Sequence, residues 1–309
     1  MRGDSGTERD GPRRSPGGHV VEDSLAAVGF THDRHRVALV ETARPRRRAF
    51  DVIVCQNAWN FIPREHFRSL LQPYPRRSRL LYRARRAIAR INVRRARRVV
   101  TLSNYMGNLV AATGAKVEVV PVSAPADLDR VSAQRPNWLP ARTELWLIPG
   151  TLTWYKRPQY AIELASQARA AGREPLLVFA GGDDGSGCAQ DVQRRLESVA
   201  MSAFIREVSR SEMLWLMAHA YVVVIPSELE SLSLTFAEAL QLGRRVWAQP
   251  IPVHLELVDH IQRMPSWLPK NPDYAVVERL RPDGDWHLPN NLETKAGAWR
   301  ELSTLLGTQ

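Results

Sequence analysis

The chain has 309 residues, which is long enough for two domains with full hydrophobic cores. Its two cysteines, Cys55 and Cys188, stand far apart and outside any CxxC or Cys/His cluster, so neither a disulfide framework nor a zinc site is indicated. The N-terminus is arginine-rich without an apolar core, and no run approaches the roughly 18 apolar residues of a spanning helix, which predicts a cytoplasmic protein.

The net charge is +11, from 43 basic and 32 acidic residues, and only 4 of the basic residues are lysines. This arginine excess is typical of a G+C-rich codon composition and by itself indicates no partner. The clustering is more informative, because eleven arginines lie between Arg76 and Arg98.

The first part of the chain predicts a tail and then half of a doubly wound sheet. Residues 1–18 are rich in Gly, Pro, Ser and charge without periodicity, which predicts disorder. Over residues 19–135, apolar strands alternate with helical patterns, as expected of an α/β domain with a parallel sheet. The predicted strands are Arg36–Glu41, Asp51–Gln56, Val99–Ser103 and Val117–Pro121, and the predicted helices are a basic helix over 76–98 and a short one over Tyr105–Thr113.

The basic helix predicts two stripes. Arginines form one stripe and apolar residues the other: Arg83, Arg86, Arg90, Arg94 and Arg97 against Leu80, Leu81, Ala84, Ala87, Ile88 and Ile91. Such a helix suits peripheral contact with the inner face of an anionic membrane or with a diphosphate-bearing acceptor, and a solvated helix face is the alternative. Nucleic acid is not expected, because no stacking motif, zinc finger or helix-turn-helix accompanies the charge.

A Pro-rich passage, Ser123–Pro140, predicts a hinge, and residues 136–290 then predict a second Rossmann-like domain. Strand and helix alternate regularly here, which indicates βαβ units. The predicted strands are Leu145–Gly150, Pro175–Gly182, Ala203–Val208, Ala220–Ser227 and Arg245–Gln249, with helices at Gln159–Ala171, Ala189–Ala200, Glu212–Ala218 and Thr235–Leu242. A closing helix is expected over Leu292–Leu306, within a C-terminal segment of residues 291–309.

The most informative stretch is Pro226–Gly243. It follows a continuously apolar run that is typical of a buried parallel strand, and its apolar spacing changes to three and four near Leu234, where a helix is predicted. Glu230 therefore lies in the loop and Glu238 one turn into the helix. A loop at the carboxyl end of a parallel strand is where open α/β sheets bind ligands, and the free N–H groups of the next helix suit a phosphate.

With these features, residues from about 144 to 260 resemble the donor-binding domain of retaining GT-B glycosyltransferases, most closely glycosyltransferase family 4. Its pattern is a Glu-x7-Glu pair in a strand, Pro-Ser, acidic loop and Glu-Ala-Leu helix, and Glu230 and Glu238 match the pair. The resemblance implies that Glu230 lies at the sugar and reaction centre and that Glu238 accepts hydrogen bonds from the nucleotide ribose. The loop residues between them are then expected to contact the donor: Ser231, Leu232, Ser233 and Leu234.

A second match is Gly150, followed by Lys156 at the start of the next helix, where the family has a lysine that meets the donor diphosphate. The family commonly has an arginine directly after the glycine, whereas this chain has Thr151, so one diphosphate contact is either missing or supplied by Arg157. Gly181 and Gly182 match a Gly-rich turn at which the backbone approaches the donor. Glu256 matches an acidic position that we expect to serve packing, with donor contact as the alternative.

The N-terminal half resembles the same enzymes only from about Ala49 to Asp127, which predicts an acceptor-side domain that is incomplete by one or two βαβ units. The resemblance implies transfer of a hexose, with retention, from a nucleoside diphosphate sugar to a hydroxyl of a glycan, a lipid-linked molecule or a small molecule. Lys156 and the helix N–H groups would neutralise the departing diphosphate. The alternative is a catalytically silent GT-B-like protein that binds nucleotide or docks to a partner.

Neither a metal nor another cofactor is expected. Asp283-Gly-Asp285 is a literal DxD sequence, but it lies in a Pro-flanked loop near the C-terminus and is interpreted as a turn. Asp183 and Asp184 are likewise interpreted as a turn, and the eight histidines are scattered.

Overall fold

Two separate parallel sheets with flanking helices form the part of the chain that the computed structural model describes, namely residues 37–38, 42, 50–120, 132–141, 144–261 and 265–279. We call the part up to residue 120 the N-terminal lobe and the part from residue 144 the C-terminal lobe. Every recorded strand pair is parallel, so the predicted α/β class with two parallel-sheet domains is confirmed.

The N-terminal lobe has a sheet of order β1-β2-β3-β4 in its described residues. Its strands are β1 Val37–Ala38, β2 Val52–Cys55, β3 Arg98–Thr101 and β4 Val117–Val119. Its helices are a 3₁₀ turn Ala58–Asn60, α1 Arg64–Leu70, α2 Arg76–Arg95 and α3 Asn104–Ala111.

The C-terminal lobe has a six-stranded sheet of order β10-β9-β8-β5-β6-β7. Its strands are β5 Glu144–Pro149, β6 Pro175–Ala180, β7 Ala203–Arg206, β8 Val222–Ile225, β9 Val246–Ala248 and β10 Ser266–Trp267. Its helices are a 3₁₀ turn Trp154–Lys156, α4 Pro158–Ala170, α5 Cys188–Ser198, α6 Arg210–His219, α7 Leu234–Gln241, α8 Pro252–Ile261 and α9 Tyr274–Arg279.

The central strands of the second sheet are buried on both faces, which explains their unbroken apolar sequence. Along β5, Leu145 and Leu147 join one core cluster, whereas Trp146 and Ile148 join the cluster on the opposite face. Because β5 lies between β6 and β8, the loops after β5 and β8 leave the same edge of the sheet. The order of strands therefore brings the Gly150 and Glu230 loops together.

The structure adds elements that the sequence patterns did not predict and omits none of the predicted central ones. The added elements are α1, α8, β10 and α9. Among the predictions that lie outside the described residues are the disordered tail, the closing helix and Asp283-Gly-Asp285. The domain boundary near residue 135 and the incomplete first domain stay predictions.

The arginines of the predicted stripe on α2 have different surroundings: Arg83, Arg94 and Arg97 are exposed, whereas Arg86 and Arg90 are half-buried. Arg86 donates to the carbonyls of Trp59 (3.2 Å) and Ile62 (2.7 Å), and Arg90 donates to those of Asn60 and Phe61 (both 3.3 Å). These carbonyls lie in the 3₁₀ turn Ala58–Asn60 and directly after it, and the guanidinium groups supply their donors. Burial lowers the pKa of Arg86 to about 10, with further lowering by neighbouring arginines.

None of the helices in the described ranges is both long enough and apolar enough to span a bilayer.

Candidate nucleotide-sugar site

The turn after β5 brings a lysine onto a glycine. Gly150 has a φ of 104°, and a Cβ built on it would lie 2.9 Å from Lys156 Nζ. A residue with a side chain would therefore be strained and would displace the ammonium. The ammonium lies in a small pocket between the ends of β5 and β8, which Gly150, Thr151 and Ser227 also line.

Lys156 and Glu230 form an ion pair in this pocket. Lys156 Nζ lies 3.1 Å from Glu230 Oε1, and the two side chains are only 23% and 15% exposed. The Ser227 hydroxyl donates to the same oxygen at 2.8 Å. Oε2 of Glu230 receives no hydrogen bond from any part of the chain that the structure describes, so it has capacity to accept one from a ligand.

The ion pair with Glu230 keeps Lys156 protonated. Burial disfavours the charged form, but the Glu230 carboxylate and Tyr155 outweigh burial and raise the pKa of Lys156 above its ordinary value. Lys156 is therefore a fixed positive charge at neutral pH. Its ammonium takes the space that a side chain at Gly150 would need.

The loop after Glu230 enters α7 through a strained serine. Ser233 has a φ of 51° and a ψ of 52°, the left-handed region that favours glycine. Its hydroxyl lies 2.8 Å from His254 Nε2, and His254 Nδ1 lies 2.8 Å from the Gln249 carbonyl. Since a carbonyl only accepts, Nδ1 carries the proton and the Ser233 hydroxyl donates to Nε2. This chain of bonds holds the entry to α7, whose first amides have no side-chain cap.

The neutral form of His254 makes the stability of the protein depend on pH. Burial, offset only in part by the bond to Gln249, lowers the pKa of His254 to about 4. The unfolded chain therefore takes up this proton near pH 6.5 and the folded chain only near pH 4, so stability falls across this window as pH decreases. We expect a loss of about 3 kcal/mol from this residue.

Denaturant unfolding of wild type and His254→Gln at a series of pH values measures this loss. The variant is less stable at neutral pH, but its stability declines less between pH 6.5 and 4. Parallel declines in the two proteins would contradict the assignment.

Glu238 lies in α7 and is paired with an arginine that the sequence analysis did not single out. Arg210 binds it in a bidentate manner, with distances of 2.8 Å to Oε1 and 3.0 Å to Oε2. The Glu238 side chain is 6% exposed and that of Arg210 35%. Glu238 is therefore a buried carboxylate whose charge is balanced by a half-buried arginine.

Gly181 and Gly182 pack against the same turn. A Cβ on Gly181 would lie 2.2 Å from the Gly150 carbonyl oxygen, which is backbone. A Cβ on Gly182 would instead meet the exposed end of the Glu207 side chain at 2.6 Å. The absence of a side chain at Gly181 therefore allows the end of β6 to approach the turn at Gly150. At Gly182, the Glu207 side chain could move away from an added Cβ.

These two glycines provide a matched pair of variants. Gly181→Ala is expected to lower the free energy of unfolding by about 3 kcal/mol because the backbone of the turn must shift. Gly182→Ala is expected to cost about 1 kcal/mol or less, because only a surface carboxylate moves. Urea unfolding of both variants measures the difference. Equal losses in the free energy of unfolding would contradict a close contact between Gly181 and the backbone of Gly150.

The two lobes meet beside Glu230. The Ser231 hydroxyl accepts from the Ala58 amide at 2.8 Å, and the Ser231 carbonyl accepts from the Ser103 hydroxyl at 3.0 Å. Leu229 is buried in the core of the N-terminal lobe. The residues on either side of Glu230 are thus held by the N-terminal lobe.

Glu256 makes a second contact between the lobes. Its carboxylate accepts from the amides of Asn104 (2.6 Å) and Tyr105 (2.8 Å) in the first turn of α3. A carboxylate is favourable there because helix N-termini carry free N–H groups and a positive dipole. Glu256 therefore serves packing between the lobes, close to the role expected of it.

The other predicted site residues lie in different places. Thr151 is exposed in the Lys156 pocket, and Leu232 and Leu234 are half-buried in the loop. Arg157 pairs with Glu228 at 3.3 Å, and its contact with a diphosphate stays a prediction. Sequence reasoning missed the roles of Ser227, Arg210 and His254, and only Ser227 carried a signal, as the residue that ends the strand before the acidic loop.

Within the described residues, no set of three or more His, Cys, Asp or Glu side chains could hold a metal ion.

Part of the chain matches the model of a known protein family. Residues 132–275, which contain the Lys156 pocket and the Glu230 loop, match the family model of glycosyl transferases group 1. The chain has no significant match among curated proteins.

Several solved structures have a fold similar to that of this chain. The sucrose-phosphate synthase of Thermosynechococcus elongatus is 16% identical, with a TM-score of 0.58 over 84% of this chain and 68% of that one. WaaG, a glycosyltransferase involved in lipopolysaccharide biosynthesis, is 15% identical, with a TM-score of 0.57 over 84% and 70%. Anabaena HepE, in complex with UDP and glucose, is 14% identical, with a TM-score of 0.55 over 93% and 76%.

The fold is therefore that of the GT-B glycosyltransferases. Together with the family match, it supports a glycosyltransferase in general terms.

Proposed function

We propose that the protein transfers a hexose from a nucleoside diphosphate sugar to a hydroxyl acceptor, with retention at the anomeric carbon. The observation that carries the proposal is the Lys156 ammonium, which lies over Gly150 and 3.1 Å from Glu230 Oε1. A fixed cation, a carboxylate and the uncapped start of a helix meet at one edge of a parallel sheet. That combination suits a diphosphate and a hydroxyl-rich sugar.

The diphosphate would lie between Lys156 and the first amides of α7. Lys156 supplies a full charge, and the amides of Leu234 and Thr235 supply partial charges at the positive end of the helix dipole. Negative charge grows on the leaving diphosphate as the bond to the sugar breaks, so these groups stabilise the transition state more than the ground state. No metal is required by this arrangement.

Glu230 would hold the sugar. Oε1 is held by Lys156 and Ser227, which leaves Oε2 as the acceptor for a sugar hydroxyl. Its negative charge also favours an oxocarbenium-like sugar in the transition state. We propose no acid and base pair of the glycosidase kind, because Glu238 is held by Arg210 and would bind the ribose end of the nucleotide.

Transfer of labelled sugar tests the proposal. The protein is incubated with labelled UDP-, GDP- and ADP-glucose and a cell extract as the source of acceptors, in parallel with Glu230→Gln. Product formed by wild type from one donor, with the anomeric configuration of that donor by NMR, supports the proposal. Nucleotide binding without transfer from any donor would favour a catalytically silent GT-B-like protein.

A further inference from the structure

The solvent face of α2 carries an apolar stripe. Leu80, Leu81 and Ile91 are 69%, 50% and 48% exposed, and Ala84 and Ala87 between them are also exposed. We call these five residues the α2 stripe. Positions 80, 84, 87 and 91 recur at intervals of four and three, so they lie on one face of the helix. The described residues contain just one other large hydrophobic side chain with comparable exposure, Leu255 in α8.

Arginines border the stripe. They are exposed at both ends of the helix and along its middle: Arg76, Arg77, Arg83, Arg85, Arg94 and Arg95. The sequence has no acidic residue from position 66 to position 117. The face is therefore apolar along its centre and purely cationic at its margins.

An apolar stripe bordered by arginines fits some binding partners better than others. Nucleic acid phosphates would pair with the arginines but would leave Leu80 and Ile91 in water. A lipid interface accepts both, because leucine and isoleucine enter the acyl boundary while arginines reach anionic headgroups. We propose that α2 lies flat on an anionic lipid surface, with the α2 stripe in the headgroup–acyl boundary.

The opposite face of α2 touches the site loops. Arg86 and Arg90 hold the carbonyls of residues 59–62. Tyr82 meets Trp59 with ring centroids 5.2 Å apart, and Trp59 meets Tyr155 at 5.5 Å, next to Lys156. Helix α2 and the rings of Trp59 and Tyr155 would thus lie between the lipid surface and the site. Resting on the proposed function, this position favours a lipid-linked acceptor hydroxyl.

Co-sedimentation with vesicles tests the docking without any sugar donor. Full-length protein is mixed with phosphatidylcholine vesicles, with or without phosphatidylglycerol as about a third of the lipid, which sets a negative surface potential. The variants are Leu80→Glu/Ile91→Glu in the stripe and Leu255→Glu as the matched control on another helix. Arg77→Gln/Arg83→Gln tests the cationic margin, and circular dichroism confirms that each variant folds.

The wild type is expected to pellet with the anionic vesicles and not with phosphatidylcholine alone. Leu80→Glu/Ile91→Glu weakens this binding at least tenfold, since roughly two apolar side chains are lost from the interface. The arginine variant binds more weakly and with less dependence on salt, whereas Leu255→Glu binds as wild type does.

Three results would overturn the proposal. The first is no vesicle binding, and the second is equal binding by wild type and Leu80→Glu/Ile91→Glu. The third is a dimer in solution that this variant abolishes while vesicles are ignored, which would make the stripe an interface between two copies. None of these readouts requires sugar transfer, so failure of the docking and failure of the proposed function are separate results.

Discussion

Replacement of Lys156 by methionine is expected to lower kcat by about 10²–10³, the usual cost of removing one preorganised group that stabilises transition-state charge. Methionine keeps the length of the side chain and removes the charge. The effect falls mainly on kcat, because the charge on the diphosphate grows as the glycosidic bond breaks. Steady-state kinetics with the preferred nucleotide sugar measures it.

Lys156→Arg is the control that keeps the positive charge but changes the shape of the charged group. The site holds a compact ammonium 2.9 Å from where a Cβ of Gly150 would be, and a planar guanidinium does not fit that space. We expect Lys156→Arg to recover little activity. Full activity in Lys156→Met would remove the lysine from the reaction.

Replacement of Glu230 by glutamine is expected to lower kcat by about 10²-fold, since glutamine keeps the shape but loses the charge that faces the sugar. It also removes the group that raises the pKa of Lys156. Only Tyr155 then opposes the effect of burial, so the pKa of Lys156 falls in the variant. As the pH rises, Lys156 loses its proton earlier in the variant than in wild type. The affinity for a nucleoside diphosphate should therefore begin to fall at a lower pH in Glu230→Gln than in wild type.

Titration calorimetry across the alkaline range measures this shift. Ser227→Ala serves as a control, because it removes a hydrogen bond to Glu230 without changing its charge. An identical pH dependence of binding in wild type and Glu230→Gln would contradict the coupling between the two residues.

The fold and the centre of the site were predictable because their signals are local. A buried parallel strand must be continuously apolar, and a helix must repeat at three and four, so the unit from Pro226 to Gly243 could be interpreted from its own residues. Gly150 and Lys156 are six positions apart along one turn. Their meeting depends only on that turn, and the strand order adds Glu230 to it.

The rest depends on which elements pack together. Arg210 and Glu238 are 28 positions apart, and nothing in either neighbourhood marks the pair. Ser231 binds Ala58 and Ser103 in the other lobe, more than a hundred positions away. The periodicity of α2 gave its two stripes, but it could not show which stripe the loop of residues 59–62 would cover.

The direct test of the nucleotide-sugar site is calorimetric titration of wild type and Lys156→Met with UDP, GDP and ADP. We expect one nucleoside diphosphate to bind wild type and to bind Lys156→Met at least about tenfold more weakly, because a buried charge pair with a phosphate is lost. Binding of none of the three, or equal binding by wild type and the variant, would contradict a diphosphate site at Lys156.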